Sequence, residues 1–217
     1  LFGIGSTGRD WVGETSSQIF GLGALKYSKA TSLPIKVVVA VAGDSPVHRI
    51  EDLPHGLRVS TEYPELTRRF FADKGIEADI RLSYGASEAK IPDIADCIVD
   101  ITETGRALRA AGLRIIGEIL QSYTEVVANQ AAFDDPVKRH AMGQLMTLLN
   151  GTLDARGRVL VKMNVATDQL AAVLALLPSM KAPTVNELAG DGGYAVETVV
   201  SKTQINTLIP ELKDAGA

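Results

Sequence analysis

Ile98-Val99-Asp100-Ile101-Thr102-Glu103-Thr104-Gly105-Arg106-Ala107-Leu108 runs from an apolar, β-branched segment through a Thr/Gly turn into helix-forming residues. This order predicts a strand over 97–101, a turn, and a compact helix over 104–111 that stops before Gly112. Such a junction brings the unpaired N–H groups of a first helical turn to one point, where an anion can supply the missing acceptors. Thr102 and Thr104 add hydroxyls, Gly105 permits close approach and Arg106 adds positive charge. Phosphate binding makes good use of these groups. An ordinary strand-turn-helix junction whose threonines cap the helix uses them equally well. Asp100 and Glu103 are candidates for orienting a sugar hydroxyl or a metal-bound water, beside the commoner reading of solvent-facing carboxylates. The Gly spacing ending in Gly-Lys-Ser/Thr that defines a Walker phosphate loop is absent.

Outward from this stretch, short buried strands alternate with helical connections. Strands are predicted at 36–42, 57–60, 78–82 and 113–120, an irregular helical connection at 85–94, and a helix beginning at Pro64 and carrying Leu66, Phe70 and Phe71. The alternation predicts a parallel or mostly parallel α/β domain. Leu1–Ile4 reads as the end of a strand entering a Gly/Ser/Thr turn over 3–8. Because Leu1 is no initiator Met, missing upstream sequence is expected.

Two further surfaces carry candidate chemistry. In Gly5-Ser6-Thr7-Gly8-Arg9-Asp10-Trp11, Arg9 could meet a phosphate and Asp10 a hydroxyl, or Asp10 could cap a helix with Trp11 as a packing anchor. In Ser60-Thr61-Glu62-Tyr63-Pro64, followed by Arg68-Arg69, the adjacent arginines lie about 100° apart around a helix, so at most one faces a cleft.

A different rhythm follows Asn129. A helix is expected from Asp134-Asp135-Pro136 to Asn150-Gly151, with Val137, Met142, Leu145, Met146, Leu148 and Leu149 as its apolar stripe. After a boundary at 154–157, strands at 158–165, 182–187 and 194–201 and helices at 167–178 and 204–213 spell β-α-β-β-α, one strand short of a ferredoxin-like unit.

The 217 residues are 46% apolar, enough for real cores, and 22 Lys/Arg against 26 Asp/Glu leave a net charge of −4. No basic field is available for extended nucleic acid, although a local phosphate site remains compatible. Cys97, the sole cysteine, excludes an intrachain disulfide framework and fits a cytosolic, reducing setting. His48, His55 and His140 lack metal-ligand spacing, and no run reaches the roughly 18 apolar residues of a membrane span.

The 3–12 turn, Thr61-Glu62-Tyr63-Pro64-Glu65-Leu66-Thr67-Arg68-Arg69, Ala95-Asp96-Cys97-Ile98-Val99-Asp100 and Thr104-Gly105-Arg106-Ala107-Leu108 resemble ATP phosphoribosyltransferase. Arg158-Val159-Leu160-Val161-Lys162-Met163-Asn164-Val165 and Leu176-Leu177-Pro178-Ser179-Met180-Lys181-Ala182-Pro183-Thr184 resemble the carboxy-terminal regulatory domain of the family's long form. The resemblance covers nearly the whole chain. It implies an α/β catalytic region, bilobal and like a type II periplasmic binding protein, followed by a ferredoxin-like or ACT-like α+β regulatory domain, truncated at both ends.

By resemblance the first lobe takes in 1–43 and 119–150, the second 44–118 with the phosphate loop, and the regulatory domain 151–217. The implied reaction joins N1 of ATP to the ribose C1 of phosphoribosyl pyrophosphate (PRPP), releasing pyrophosphate in the first step of histidine biosynthesis with Mg²⁺ present. The PRPP phosphate loop falls on Thr102, Thr104, Gly105, Arg106, Ala107 and Leu108, with Asp100 and Glu103 as catalytic candidates. Gly8, Arg9, Asp10, Glu62 and Tyr63 are further cleft candidates, and metal contact is expected through the PRPP phosphates. L-Histidine as allosteric inhibitor, a homo-hexamer and a cytoplasmic location complete the expectation. The alternatives are a phosphometabolite-binding module without catalysis and a histidine-responsive regulatory fragment.

Overall fold

Residues 35–42 have apolar side chains at nearly every position, the pattern of a strand covered on both faces. In the computed structural model, which describes residues 3–25, 33–178, 182–190 and 192–217, this segment is strand β3 (Ile35–Ala42) of a five-stranded sheet. Its neighbours on one side are β6 (Cys97–Thr102), β4 (Leu57–Thr61) and the edge strand β5 (Ala78–Leu82); on the other lies β7 (Leu113–Ser122). The period-2 alternation of a strand sends Val37, Val39 and Val41 to one face, into a core with Leu57, Val59, Tyr63, Leu66, Phe71, Cys97 and Val99. Val38 and Ala40 point to the other face, against Ile98, Leu108 and Leu113. Helix α2 (Pro64–Asp73) belongs to the first core and α3 (Arg106–Ala110) to the second.

A three-stranded antiparallel sheet, β1 (Ile4–Gly8), β8 (Thr124–Ala128) and β2 (Phe20–Leu25), is the second sheet of the same unit. Helix α1 (Arg9–Thr15) follows β1 directly, and α4 (Gln130–Asp134) leads to the 20-residue helix α5 (Pro136–Ala155). The chain passes between the two sheets after Leu25 and again between Ser122 and Thr124. The region is therefore two-lobed.

Several expectations are corrected here. The larger sheet is mixed: β4 runs parallel to β5 and β6, but β3 is antiparallel to both β6 and β7. The helical crossover from β6 through α3 does not land beside β6, because β3 occupies that place. The Gly/Ser/Thr turn expected over 3–8 is instead strand β1, held in register against β8 from Ile4↔Ala128 to Gly8↔Thr124. Sheet pairing gives β3 and all of β7 to the five-stranded sheet, so the chain changes sheet after Leu25 and again after Ser122. Helix α5 continues past Asn150-Gly151 to Ala155. Residues 1–2 of the expected opening strand and Ser179–Lys181 of the last quoted motif lie outside the described residues.

The chain divides into compact units Leu1–Thr147 and Leu148–Ala217. Apart from the end of α5, the second contains β9 (Arg158–Val165), α6 (Leu170–Leu176), β10 (Thr184–Glu187), β11 (Tyr194–Ser201) and α7 (Ile205–Asp214). It is a β-α-β-β-α unit whose sheet runs β10-β11-β9, antiparallel throughout. Val165, Val173, Leu177, Val196, Val200, Leu208 and Leu212 form its core. Among the described residues no helix is long and apolar enough to cross a membrane.

Candidate functional site

Parallel neighbours β4 and β6 end at the same edge of the sheet, where antiparallel β3 begins and β7 ends. Four chain segments therefore converge there: the loop after β4 with Glu62 and Tyr63, the loop after β6 with Glu103 to Gly105, the start of β3, and Ser122. Loops at the carboxyl ends of parallel strands are where α/β sheets place ligands.

On one face of this edge lies a cleft of about 270 Å³ lined by residues including Gly8, Asp10, Trp11, Ile35, Tyr63, Ile101 and Ser122. Asp10, only 3% exposed, is the acidic residue of the first turn of α1. The Ser122 hydroxyl donates to its Oδ1 at 2.6 Å and the Tyr63 phenol to its Oδ2 at 3.0 Å. A buried carboxylate requires such donors. Burial pushes the Tyr63 phenol far above its ordinary range, and the adjacent Asp10 charge and hydrogen bond push the same way. Tyr63 is thus a fixed neutral donor at neutral pH. Gly8 makes room for this arrangement: a Cβ there would stand 2.1 Å from Asp10 Oδ1 and 2.5 Å from Ser122 Oγ. The Trp11 ring lies 5.2 Å from that of Tyr63.

On the other side of Ile101 the loop after β6 opens a recess of about 560 Å³ lined by Ile101, Thr102, Glu103, Thr104, Arg106, Ala107 and Ala110. The Gly105 N–H donates to Thr102 Oγ1 at 2.8 Å, and the Arg109 guanidinium donates to the Thr104 carbonyl at 2.8 Å. Gly105 adopts φ +71, and a Cβ would meet Arg109 Nη1 at 2.6 Å and Ile115 Cδ1 at 3.0 Å, so the tight entry to α3 requires glycine. Arg106 and Ala107 are exposed in the first turn of α3.

Asp100 sits on β6 just before this loop. Burial raises its carboxyl above the ordinary range and the charges of Glu62 and Glu88 add to the rise, while the Ile101 N–H, donating to Oδ1 at 2.7 Å, and the Ser87 hydroxyl oppose it. Glu62 accepts from the Gly85 N–H at 3.1 Å.

The two recesses meet at Ile101, joining Gly8, Asp10 and Tyr63 on one side to Thr102–Ala107 on the other. Two expected site residues go elsewhere. The Leu108 side chain is buried with Val38, Ala40 and Ile98, so only its backbone can serve a ligand, and Arg9 is paired with Glu125 of β8 at 2.7 Å. Ser122, Ser87 and Glu88 were not anticipated; no local motif marks them, and only sheet pairing and packing bring them to this edge.

Among the described residues no three His, Cys, Asp or Glu side chains gather into a metal-binding group. Asp100 and Glu62, both at this end of the sheet, are the carboxylates that would hold a Mg²⁺ keeping water and phosphate as most of its ligands.

A family model described as ATP phosphoribosyltransferase matches residues 2–151, and one described as the HisG C-terminal domain matches 155–217. The chain is 47% identical to the ATP phosphoribosyltransferase of Nitratidesulfovibrio vulgaris (strain DP4), spanning 100% of this chain and 74% of that protein. It is 45% identical to that of Desulforudis audaxviator (strain MP104C), spanning 98% and 73%. Among solved structures, the ATP phosphoribosyl transferase (HisG:HisZ) complex from Thermotoga maritima superposes with a TM-score of 0.60 at 26% identity, over 70% of each chain.

Proposed function

The chain belongs to the ATP phosphoribosyltransferase family, and on that premise we propose that it joins N1 of ATP to C1 of PRPP at the edge where β4 and β6 end. The observation that carries this reading is the loop from Thr102 to Ala107, a strand-turn-helix entry opening onto a recess beside Asp100. The PRPP 5′-phosphate takes the backbone N–H groups at the start of α3, with the Thr102 and Thr104 hydroxyls and Arg106 around it. Asp100 and Glu103 orient the ribose hydroxyls; neither is required as a strong base. The N1–C1 bond forms as the bond from C1 to the pyrophosphate oxygen breaks, and its electron pair leaves with pyrophosphate. Aligning a weakly nucleophilic ring nitrogen with the sugar carbon is the main task of such a cleft. Asp100 and Glu62 would hold a Mg²⁺ bound through the phosphates, and the ion would supply charge neutralisation for the departing pyrophosphate.

The two sheets joined by two chain crossings support a type II periplasmic-binding-protein-like catalytic region, with lobes that can close on substrate. The β-α-β-β-α order of the second unit supports a ferredoxin-like or ACT-like regulatory domain over 151–217 that binds L-histidine and lowers activity allosterically. A cytoplasmic homo-oligomer, a hexamer, fits the same reading.

Incubation with Mg²⁺, ATP and PRPP, followed by detection of both phosphoribosyl-ATP and pyrophosphate, tests the assignment. Binding of both substrates without either product rejects it. Saturating L-histidine that leaves ATP and PRPP kinetics unchanged rejects the regulatory part.

A further inference from the structure

Helices α1 and α2 exchange caps. The N-cap position of α2 is Tyr63, whose ring is too long and rigid to cap its own helix and whose hydroxyl instead donates to Asp10. The first free N–H groups of α2 are met from outside: Glu14 Oε1 accepts from Glu65 at 3.0 Å and Oε2 from Leu66 at 2.8 Å. In return Arg69 of α2 donates to the Gly13 carbonyl at the end of α1 and to Ser16 Oγ at 3.1 Å. A carboxylate sits at one helix N-terminus and a guanidinium at the other's C-terminus, each matched to the local dipole. Asp10 and Glu14, four residues apart on α1, share a helix face and grip the same turn of chain from its two sides. One grip is on Tyr63 itself, with Glu62 directly before it, and the other begins two residues later at Glu65.

We propose that Glu14 is a positioning residue for the substrate cleft, holding the Glu62–Tyr63 loop in its binding geometry by capping α2 across the lobes; the cleft's role rests on the function proposed above. Without this cap the loop occupies its competent form for only part of the time. Substrate binding then has to select that form, which raises KM and leaves kcat at saturation nearly intact.

The full chain is compared with its Glu14→Ala and Glu14→Gln variants in turnover of ATP and PRPP with Mg²⁺ and in amide exchange at Glu65 and Leu66. For Glu14→Ala we expect KM for PRPP to rise about fivefold, kcat to stay within about twofold, and the two amides to exchange about fivefold faster, from the usual worth of a lost cap. Glu14→Gln, which retains one acceptor oxygen, should fall between the two. Unchanged exchange at Glu65 and Leu66 overturns the proposal. So does a fall in kcat at constant KM, since that reports only fewer folded molecules. Should the wild type bind both substrates and make no product, the proposed function fails; the PRPP dissociation constant then replaces KM, and an unchanged value in Glu14→Ala overturns the positioning role.

Discussion

Replacing Tyr63 by Phe removes one hydroxyl and leaves the ring beside Trp11 in place. The lost bond is 3.0 Å long, its acceptor is a carboxylate, and both residues are 3% exposed, so water cannot readily take over. Hydrogen bonds to charged groups contribute about 1.5–3 kcal/mol. Asp10 keeps the Ser122 donor at 2.6 Å, which holds the expected loss to about 2 kcal/mol, or a fall in Tm of about 4–8 °C for a unit of this size. Thermal and urea unfolding at pH 7, followed by Trp11 fluorescence and circular dichroism, measure it. The alkaline limb gives a second check. The phenol titrates higher in the folded protein than its ordinary value of 10.0, so its contribution is complete below that pH and is lost as pH rises toward the folded value. The gap between wild type and Tyr63→Phe should stay constant up to about pH 9 and narrow by about 1.4 kcal/mol per unit above pH 10. A gap below about 0.5 kcal/mol at neutral pH would refute the idea that Asp10 depends on this donor.

Thr104→Ala should weaken PRPP binding about three- to tenfold, through loss of one hydroxyl contact, with little change for ATP; calorimetric titration with each substrate decides it. Gly8→Ala should destabilise by about 1–3 kcal/mol, because the new methyl displaces the Asp10 carboxylate or Ser122; denaturant unfolding measures this, and a neutral result would mean the turn yields freely. Burial pushes the fully buried Cys97 thiol up to about 12, with the Asp96 charge adding to it. A thiol reagent at pH 8 should therefore modify it only at the rate of unfolding, and rapid labelling of the folded chain would contradict the placement.

The strands at 36–42, 78–82, 158–165 and 194–201 were legible because their apolar and β-branched runs end at Gly, Pro or polar clusters. Their directions were not. Antiparallel β3 wedged between β6 and β7 follows from pairing over long sequence separations, and nothing local in Lys36–Ala42 encodes it. Strand β1 was hidden by its composition: Gly5 and Ser6 favour turns in isolation, and pairing with Val127 and Val126 overrides that preference. The phosphate-compatible loop was readable since strand, turn and helix are contiguous there. The bonds from Asp10 to Tyr63 and Ser122 bridge 53 and 112 positions, and no spacing within the sequence signals them.

The place of β3 inside its sheet, between β6 and β7, also governs how the chain comes off the ribosome. Val37 to Val41 emerge as a continuous apolar run, yet β7, which covers one edge, is complete only at Ser122, some 80 residues later. At about 5–20 residues per second, the edge that β7 covers stays open for roughly 4–16 s, and the other edge until β6 is complete at Thr102. Nascent chains stalled between residues 42 and 97 should accordingly be the ones most readily captured by chaperones. Stalling far enough beyond Ser122 for β7 to have left the ribosome should release them, because only then can both flanks of β3 close.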